Sequence, residues 1–306
     1  MKSAFIQAFG SPDVINIGEM TVRDSQPDEV VVRIEAAGIN PLDIKIVAGY
    51  LQQVFPVDFP YVPGTDFSGV VDVIGTQVTH LQPGDRVFGR SLPNTGGAFA
   101  QSIVIKAADL CVIPATMTFE QAASIPTAFG TARQALFDIG NLRRGQRVLI
   151  HAAAGGVGSM AVQQARLAGA YVIGTASGAN VNMLKDLGAD DVIDYRTQDF
   201  SKLSDIDLVL DALGGETLEK SWSVLREGGR VVSLVDFDIT SRNGMIGESV
   251  FFASATPYLP EAVRQFQAEE LHIVIDSIFS LDEARAALEK VATGHARGKV
   301  TIRTRN

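Results

Sequence analysis

Hydrophobic and polar positions along this chain fall into two regimes. In the first third, short apolar or alternating runs are broken by turn residues. Val30–Glu35 (VVVRIE), Ser68–Ile74 (SGVVDVI), Gly84–Gly89 (GDRVFG) and Ala98–Ile105 (AFAQSIVI) each predict a strand. Ser11-Pro12-Asp13, Pro63-Gly64 and Pro83-Gly84-Asp85 predict the turns between them. The pattern changes near Pro114, where Thr118 is a candidate N-cap with Gln121 three residues on. After Gly145, strands predicted at Val148–His151, Tyr171–Thr175, Asp191–Ile193, Leu208–Asp211 and Arg230–Val235 alternate with helices at Ser159–Leu167, Val181–Leu187 and Thr217–Leu225. That alternation predicts a parallel sheet covered by helices on both faces, an α/β doubly wound domain beside a β-rich one. Gly169, Gly188 and Gly228-Gly229 fall where the helices should end. Pro260–Glu270 and Leu281–Thr293 predict two more helices, and Lys299–Arg303 a final strand that needs a sheet to join, the first domain's. The expected division is therefore 1–117 with 261–306, and 118–260.

The most informative segment is Arg147–Ser159 (RVLIHAAAGGVGS). A buried-strand run enters a turn of small residues and a helix follows. A G-x-G-x-x-G fingerprint aligns on Ala153, Gly155 and Gly158, with Gly156 and Val157 between them. Small residues let backbone approach a pyrophosphate, and the new helix points its free N–H groups at it. The alternative is a tight turn in another doubly wound fold, such as a methyltransferase. The second strand ends in Ala176-Ser177-Gly178 with no acid to grip a ribose 2′-hydroxyl, which permits a 2′-phosphate and so NADP(H). Ser177 and Asn180 are candidate donors to that phosphate, with Lys185, Tyr195 and Arg196 as further candidates. Later strand ends place Leu213 and Gly214, then Ser233 and Val235, then Phe251 as candidates to line the cofactor.

The chain has 306 residues and a formal charge of −9, a balance that argues against a nucleic-acid or anionic-membrane partner. No long apolar helix suggests a bilayer span, and the start, MKSAFIQAFGSPDV, meets turn residues too early for a signal peptide, so a cytoplasmic protein is expected. The single cysteine, Cys111, excludes an internal disulfide and a four-cysteine zinc site; its apolar neighbours predict a buried strand thiol. His80, His151, His272 and His295 are scattered and suggest no metal pair.

Several segments in order carry a family resemblance: AAGINPLDIKI (Ala36–Ile46), PGTDFSGVV (Pro63–Val71), PGDRVFG (Pro83–Gly89), IPTAFGTARQAL (Ile125–Leu136), HAAAGGVGSMAVQQA (His151–Ala165), LKDLGADDVIDY (Leu184–Tyr195) and GHARGKV (Gly294–Val300). Over nearly its whole length the chain resembles the medium-chain dehydrogenase/reductase superfamily, in its zinc-free quinone oxidoreductase branch. The resemblance implies a GroES-like β domain, an inserted Rossmann domain and a C-terminal return to the first. Zinc-dependent relatives carry cysteine, histidine and cysteine where this chain has Asn40, Thr65 and Thr127, none of them a good zinc ligand. No metal is expected, and Asp66 is expected to brace its loop.

The function these readings imply is NADPH-dependent, metal-independent hydride transfer to a quinone or another conjugated carbonyl, a small-molecule substrate. An enoyl-thioester or alkenal reductase, or a non-catalytic NADPH-binding protein, are the alternatives. The resemblance makes Asn40 a candidate for the substrate or nicotinamide pocket, Thr127 a candidate beside the cofactor and Thr131 a candidate for the carboxamide. Tyr50 is a candidate proton donor or pocket wall, with an exposed surface tyrosine as the other reading, and Asp43 is read as a helix cap. Relatives are commonly dimers joined through an edge of the Rossmann sheet, which makes a homodimer the expectation and Val250–Ala253 the candidate edge.

Overall fold

The computed structural model describes residues 1–305. Its strands are β1 (Lys2–Phe5), β2 (Asn16–Glu19), β3 (Glu29–Gly38), β4 (Asp66–Ile74), β5 (Arg86–Arg90), β6 (Ser102–Lys106), β7 (Leu110–Val112), β8 (Arg147–Ile150), β9 (Tyr171–Ala176), β10 (Asp191–Asp194), β11 (Ile206–Asp211), β12 (Leu225–Ser233), β13 (Ile246–Ser249), β14 (Ile275–Ser280) and β15 (Lys299–Arg303). The helices are α1 (Pro41–Val47), α2 (Phe119–Ala123), α3 (Pro126–Arg133), α4 (Gly156–Leu167), α5 (Val181–Asp186), α6 (Gly215–Ser221), α7 (Leu259–Gln267) and α8 (Ala284–Ala292). The chain divides into two compact units. One holds Met1–Thr127, Ala253–Gln267 and the chain from Ile273 on; the other holds Ala128–Phe252 and Ala268–His272.

In the first unit, β14, β15, β3, β4, β5 and β7 lie in that order in one sheet, with β6 also paired to β3. Alternate residues of β3 turn inward from Val30 to Ile34, so its two-residue period builds the core. Val32, Ile34, Phe67, Val71, Val87 and Phe99 pack there with Leu288 of α8 and Ile302 of β15. The tail strand does return to this sheet, as β15 pairs antiparallel with β3 over Thr301–Arg303 and parallel with β14. The boundary falls after Thr127 rather than Met117 because α2 packs on this sheet: a side chain at Gly38 would strike the Ala123 carbonyl. Thr118 caps α2 as the spacing predicts, accepting from Gln121 N while Gln121 Oε1 accepts from Thr118 N at 2.9 Å.

In the second unit, six parallel strands run β10-β9-β8-β11-β12-β13. The order reverses direction between β8 and β11, which is the switch point of a doubly wound Rossmann sheet. Val148, Leu149 and Ile150 are buried on both faces, as a central parallel strand requires. Gly169 and Gly188 end α4 and α5 with positive φ, as expected, because the left-handed turn after a helix suits glycine. Four further expectations need correction. Gly228 and Gly229 lie inside β12, since the preceding helix ends in a 3-10 turn at Trp222–Val224. The sheet edge is β13, Ile246–Ser249, and Val250–Ala253 continues past it outside any strand. The strand read at Ala98–Ile105 is confined to Ser102–Lys106, because Ala98 and Phe99 bond instead to Gly64 and Pro63. Cys111 is on a strand but only half-buried. No helix among the described residues is long and apolar enough to cross a membrane.

Candidate cofactor site and a buried polar network

Strand β8 delivers the chain into a turn where Ala152 takes a positive φ and Ala153 N–H donates to Thr175 O at 3.0 Å. Ala153 stands where the fingerprint has its first glycine. The neighbouring strand makes room for its methyl, because a side chain at Gly174 would lie 2.9 Å from the Ala153 Cβ. Gly158 is the close-packing glycine: a Cβ there would run into Ala152 O and lie 2.7 Å from Ala153 Cα. Gly155 is the N-cap of α4 in extended backbone, and no side chain caps the helix. Among the described residues, the N–H groups of Gly156, Val157 and Gly158 therefore meet no protein acceptor, and they carry the positive end of a 12-residue helix. The arrangement fits a pyrophosphate.

At the ends of β9 and β10, Asn180 Nδ2 donates to Ser177 Oγ at 3.2 Å and Tyr195 N–H to Ala176 O at 3.2 Å. Arg196 is exposed, its guanidinium carbon 5.9 Å from the Tyr195 ring centre. These four residues sit beside one another. Lys185 does not join them, since its ammonium is given to Asp190 O and lies 3.7 Å from the Asp191 carboxylate.

Asp211, which the sequence did not single out, organises the next loops. Its buried carboxylate accepts from Leu213 N at 3.1 Å, Gly214 N at 2.9 Å and Ser233 Oγ at 2.7 Å. Gly214, at φ 70, takes a backbone shape that favours glycine. Ser233 Oγ in turn accepts from Val235 N at 3.2 Å. Leu213, Val235 and Phe251 present exposed side chains, and Thr131 is buried on α3.

His151 lies beneath the glycine turn, wholly enclosed. Ser221 Oγ donates to Thr217 O, so it accepts from His151 Nε2–H at 3.0 Å, and Nδ1 accepts from Thr175 Oγ1 at 3.1 Å. Burial pulls this imidazole down to about 4, only partly countered by Asp211. The unfolded chain therefore binds the extra proton first, and stability falls as pH drops from about 6.5 toward 4, by about 3 kcal/mol in all.

In the first unit a second polar cluster is sealed from water. Asn40, Asp43, Asp66, Arg90 and Lys299 are all buried. Asp66 Oδ2 accepts from Asn40 Nδ2 and Thr127 N, each at 3.0 Å, and Oδ1 accepts from Thr127 Oγ1 at 2.6 Å. Arg90 Nε donates to Thr127 Oγ1 at 3.0 Å and lies 4.0 Å from Asp66 Oδ1. Lys299 Nζ donates to Ile39 O at 2.6 Å and Asn40 Oδ1 at 2.5 Å. Asp43 caps α1 as expected, accepting from Asn40 N at 2.7 Å, but its Oδ1 has no partner. Burial, aided by the Asp66 charge, pushes the Asp43 carboxyl up to about 7. The brace expected of Asp66 is therefore a whole network, and both polar ends of Asn40 are occupied within it. Tyr50 stands 81% exposed just after α1.

Asp43 and His151 set opposite pH slopes. Asp43 binds its proton more readily folded than unfolded, so its contribution is lost as pH rises from about 4 toward 7. An Asp43→Asn protein keeps the cap acceptor and removes that slope. Its denaturant stability is expected to rise by about 2 kcal/mol from pH 4.5 to 6.5, more steeply than wild type. Equal slopes for the two proteins would show that Asp43 is ionised in both states.

Together the fold and the two sites define a two-unit reductase scaffold with a dinucleotide-binding Rossmann unit. Residues 26–115 match the alcohol dehydrogenase GroES-like domain and residues 187–302 a family described as zinc-binding dehydrogenase. The chain is 33% identical to the chloroplastic quinone-oxidoreductase homolog of Spinacia oleracea, over 96% of this chain and 95% of that protein. It is 31% identical to the mitochondrial NAD(P)H oxidoreductase RTN4IP1 of Danio rerio, over 99% of this chain and 91% of that protein. Among solved structures it is similar to the quinone oxidoreductase of Coxiella burnetii (TM-score 0.94, 32% identity, 100% of this chain and 99% of that one). It is also similar to the Escherichia coli quinone oxidoreductase complexed with NADPH (TM-score 0.88, 26% identity, 99% and 100%). The chain belongs to the medium-chain dehydrogenase/reductase superfamily, in its quinone oxidoreductase branch, and is an NAD(P)H-dependent oxidoreductase.

The zinc in the matched family's description does not fit the residues here. Asn40, Thr65 and Thr127 offer amide and hydroxyl oxygens, and those of Asn40 and Thr127 are already committed to Lys299, Asp66 and Arg90. Two cations share the cluster, and no group of three His, Cys, Asp or Glu among the described residues is placed to hold a metal.

Proposed function

We propose that this chain transfers hydride from NADPH to a quinone or another conjugated carbonyl, without a metal ion. The observation that carries the reading is the first turn of α4, with three N–H groups that have no protein acceptor above a glycine-packed turn. When bound, the nicotinamide supplies the hydride, and the protein's part is to hold and orient. Gly156, Val157 and Gly158 hold the diphosphate through backbone. Ser177 and Asn180 donate to the 2′-phosphate, with Arg196 as its countercharge and Tyr195 as its wall. Leu213, Gly214, Val235, Phe251 and Thr131 flank the nicotinamide end, and Ser233 keeps that loop in shape through Asp211.

Asn40 and Thr127 serve the pocket as scaffold, because their polar atoms are used inside the protein. Tyr50 is the exposed ring offered to the acceptor. A conjugated acceptor spreads its developing charge toward oxygen, so positioning with few donors suffices. The exposed edge β13 supports a homodimer, and a cytoplasmic location completes the reading.

Steady-state turnover of NADPH and NADH against quinones, enones and enoyl thioesters tests it. Quinone or enone reduction that survives exhaustive chelation is expected. Activity lost on chelation and restored by zinc would overturn the metal-free chemistry. Faster turnover of enoyl thioesters would move the substrate class, and tight NADPH binding with no turnover would make the chain a binding protein.

A further inference from the structure

The acid missing from the end of β9 is supplied by the next strand. Asp194 closes β10 in register with Ala176, the last residue of β9. Its carboxylate leans over the Ser177-Gly178 turn so closely that a Cβ at Gly178 would lie 2.7 Å from Oδ2. Oδ1 accepts the Arg196 N–H at 3.1 Å, while Oδ2 meets no hydrogen-bond donor among the described residues. The same turn carries Ser177 and Asn180, and the same strand end carries Tyr195 and Arg196, so one negative charge stands among the groups assigned to the adenosine ribose.

We infer that Asp194 sets the coenzyme selectivity of this enzyme. A carboxylate at a strand end beside the ribose accepts hydrogen bonds from the 2′-hydroxyl of NADH and repels the 2′-phosphate of NADPH. Arg196 attracts that phosphate. The two charges oppose each other, which keeps NADH a working donor beside NADPH. Lys185 cannot shift the balance, because Asp190 and Asp191 hold its ammonium. The inference rests on the proposed nucleotide site.

The test is Asp194→Asn, which keeps an acceptor for Arg196 N–H and removes the charge, with Asp194→Ser as a second variant. The ratio of kcat/KM for NADPH to that for NADH is expected to rise roughly tenfold, as one unit charge against a phosphate dianion gives in a water-exposed site. The gain should come mainly from tighter NADPH and shrink at high salt, which a merely structural change would not do. An unchanged ratio in both variants, with both coenzymes still bound, would overturn the role of Asp194 and leave the nucleotide site standing. Wild-type protein that binds neither coenzyme in a fluorescence titration would overturn the site itself, and the inference with it.

Discussion

A Gly155→Val protein is expected to fold normally and to bind NADPH on the order of a hundredfold more weakly, about the loss of one or two charge-assisted hydrogen bonds. The backbone at Gly155 is extended (φ −80, ψ −178), a shape any residue adopts. The nearest atom to a Cβ there is Ala152 O at 3.3 Å, a squeeze that a shift of a few tenths of an ångström relieves. The rest of a valine side chain then lies over the open first turn of α4, where the N–H groups of Gly156, Val157 and Gly158 meet no protein acceptor. Gly158→Val differs in kind. Its Cβ meets the backbone of Ala152 and Ala153, which cannot step aside, so that protein should be destabilised or fail to fold. Thermal melts separate the two variants and a fluorescence titration with NADPH reads binding. Wild-type affinity in a well-folded Gly155→Val protein would remove the diphosphate from this turn.

The glycine turn was legible in sequence because close backbone approach is written in residue size: Ala153, Gly155 and Gly158 are small residues set between a buried strand and a helix. The parallel sheet was legible for a similar reason, since Val148, Leu149 and Ile150 of β8 and Leu208, Val209 and Leu210 of β11 are buried and read as short apolar runs. Strand ends were harder where a glycine has two meanings. Gly228 reads as a helix stop, yet it lies inside a strand, because the helix before it has already tightened into a 3-10 turn. The charged parts of both sites were mostly out of reach. Asp194 was not visible as a ribose neighbour, because a strand must pair in a definite register before its last side chain meets the loop of the strand beside it. Asp211 looks like any acid at the end of an apolar run until the loop it ties, Leu213-Gly214, is folded over it. The ring nitrogens of His151 meet partners 24 and 70 residues away. Such pairings belong to the topology, and no local pattern carries them.

A pairing more distant still than those of His151 yields the second large effect. Lys299 and Asn40 are 259 residues apart, and in sequence Lys299 reads as one more surface lysine in GHARGKV. Folded, its ammonium is buried beside Asp43 and Asp66. Burial works against its charge and those two acids sustain it. Lys299→Met fills the same space without the charge, leaves Ile39 O and Asn40 Oδ1 without their donor, and strands two carboxylates with Arg90 as the remaining cation. Breaking a buried ion cluster from one side costs about 3–5 kcal/mol, and that loss of unfolding free energy is expected at pH 8. At pH 5 the loss should be smaller. Asp43 already titrates near 7 with the ammonium present, and without it the carboxyl takes its proton more readily still, so acid removes one of the two stranded charges. Adding Asp43→Asn to Lys299→Met does the same at any pH and should recover part of the loss at pH 8. Urea titrations of the single and double variants at both pH values measure this. A loss that is equal at pH 5 and pH 8, with no recovery in the double variant, would mean that Lys299 acts only through its hydrogen bonds to Ile39 O and Asn40 Oδ1 and that the charges of this cluster do not depend on one another.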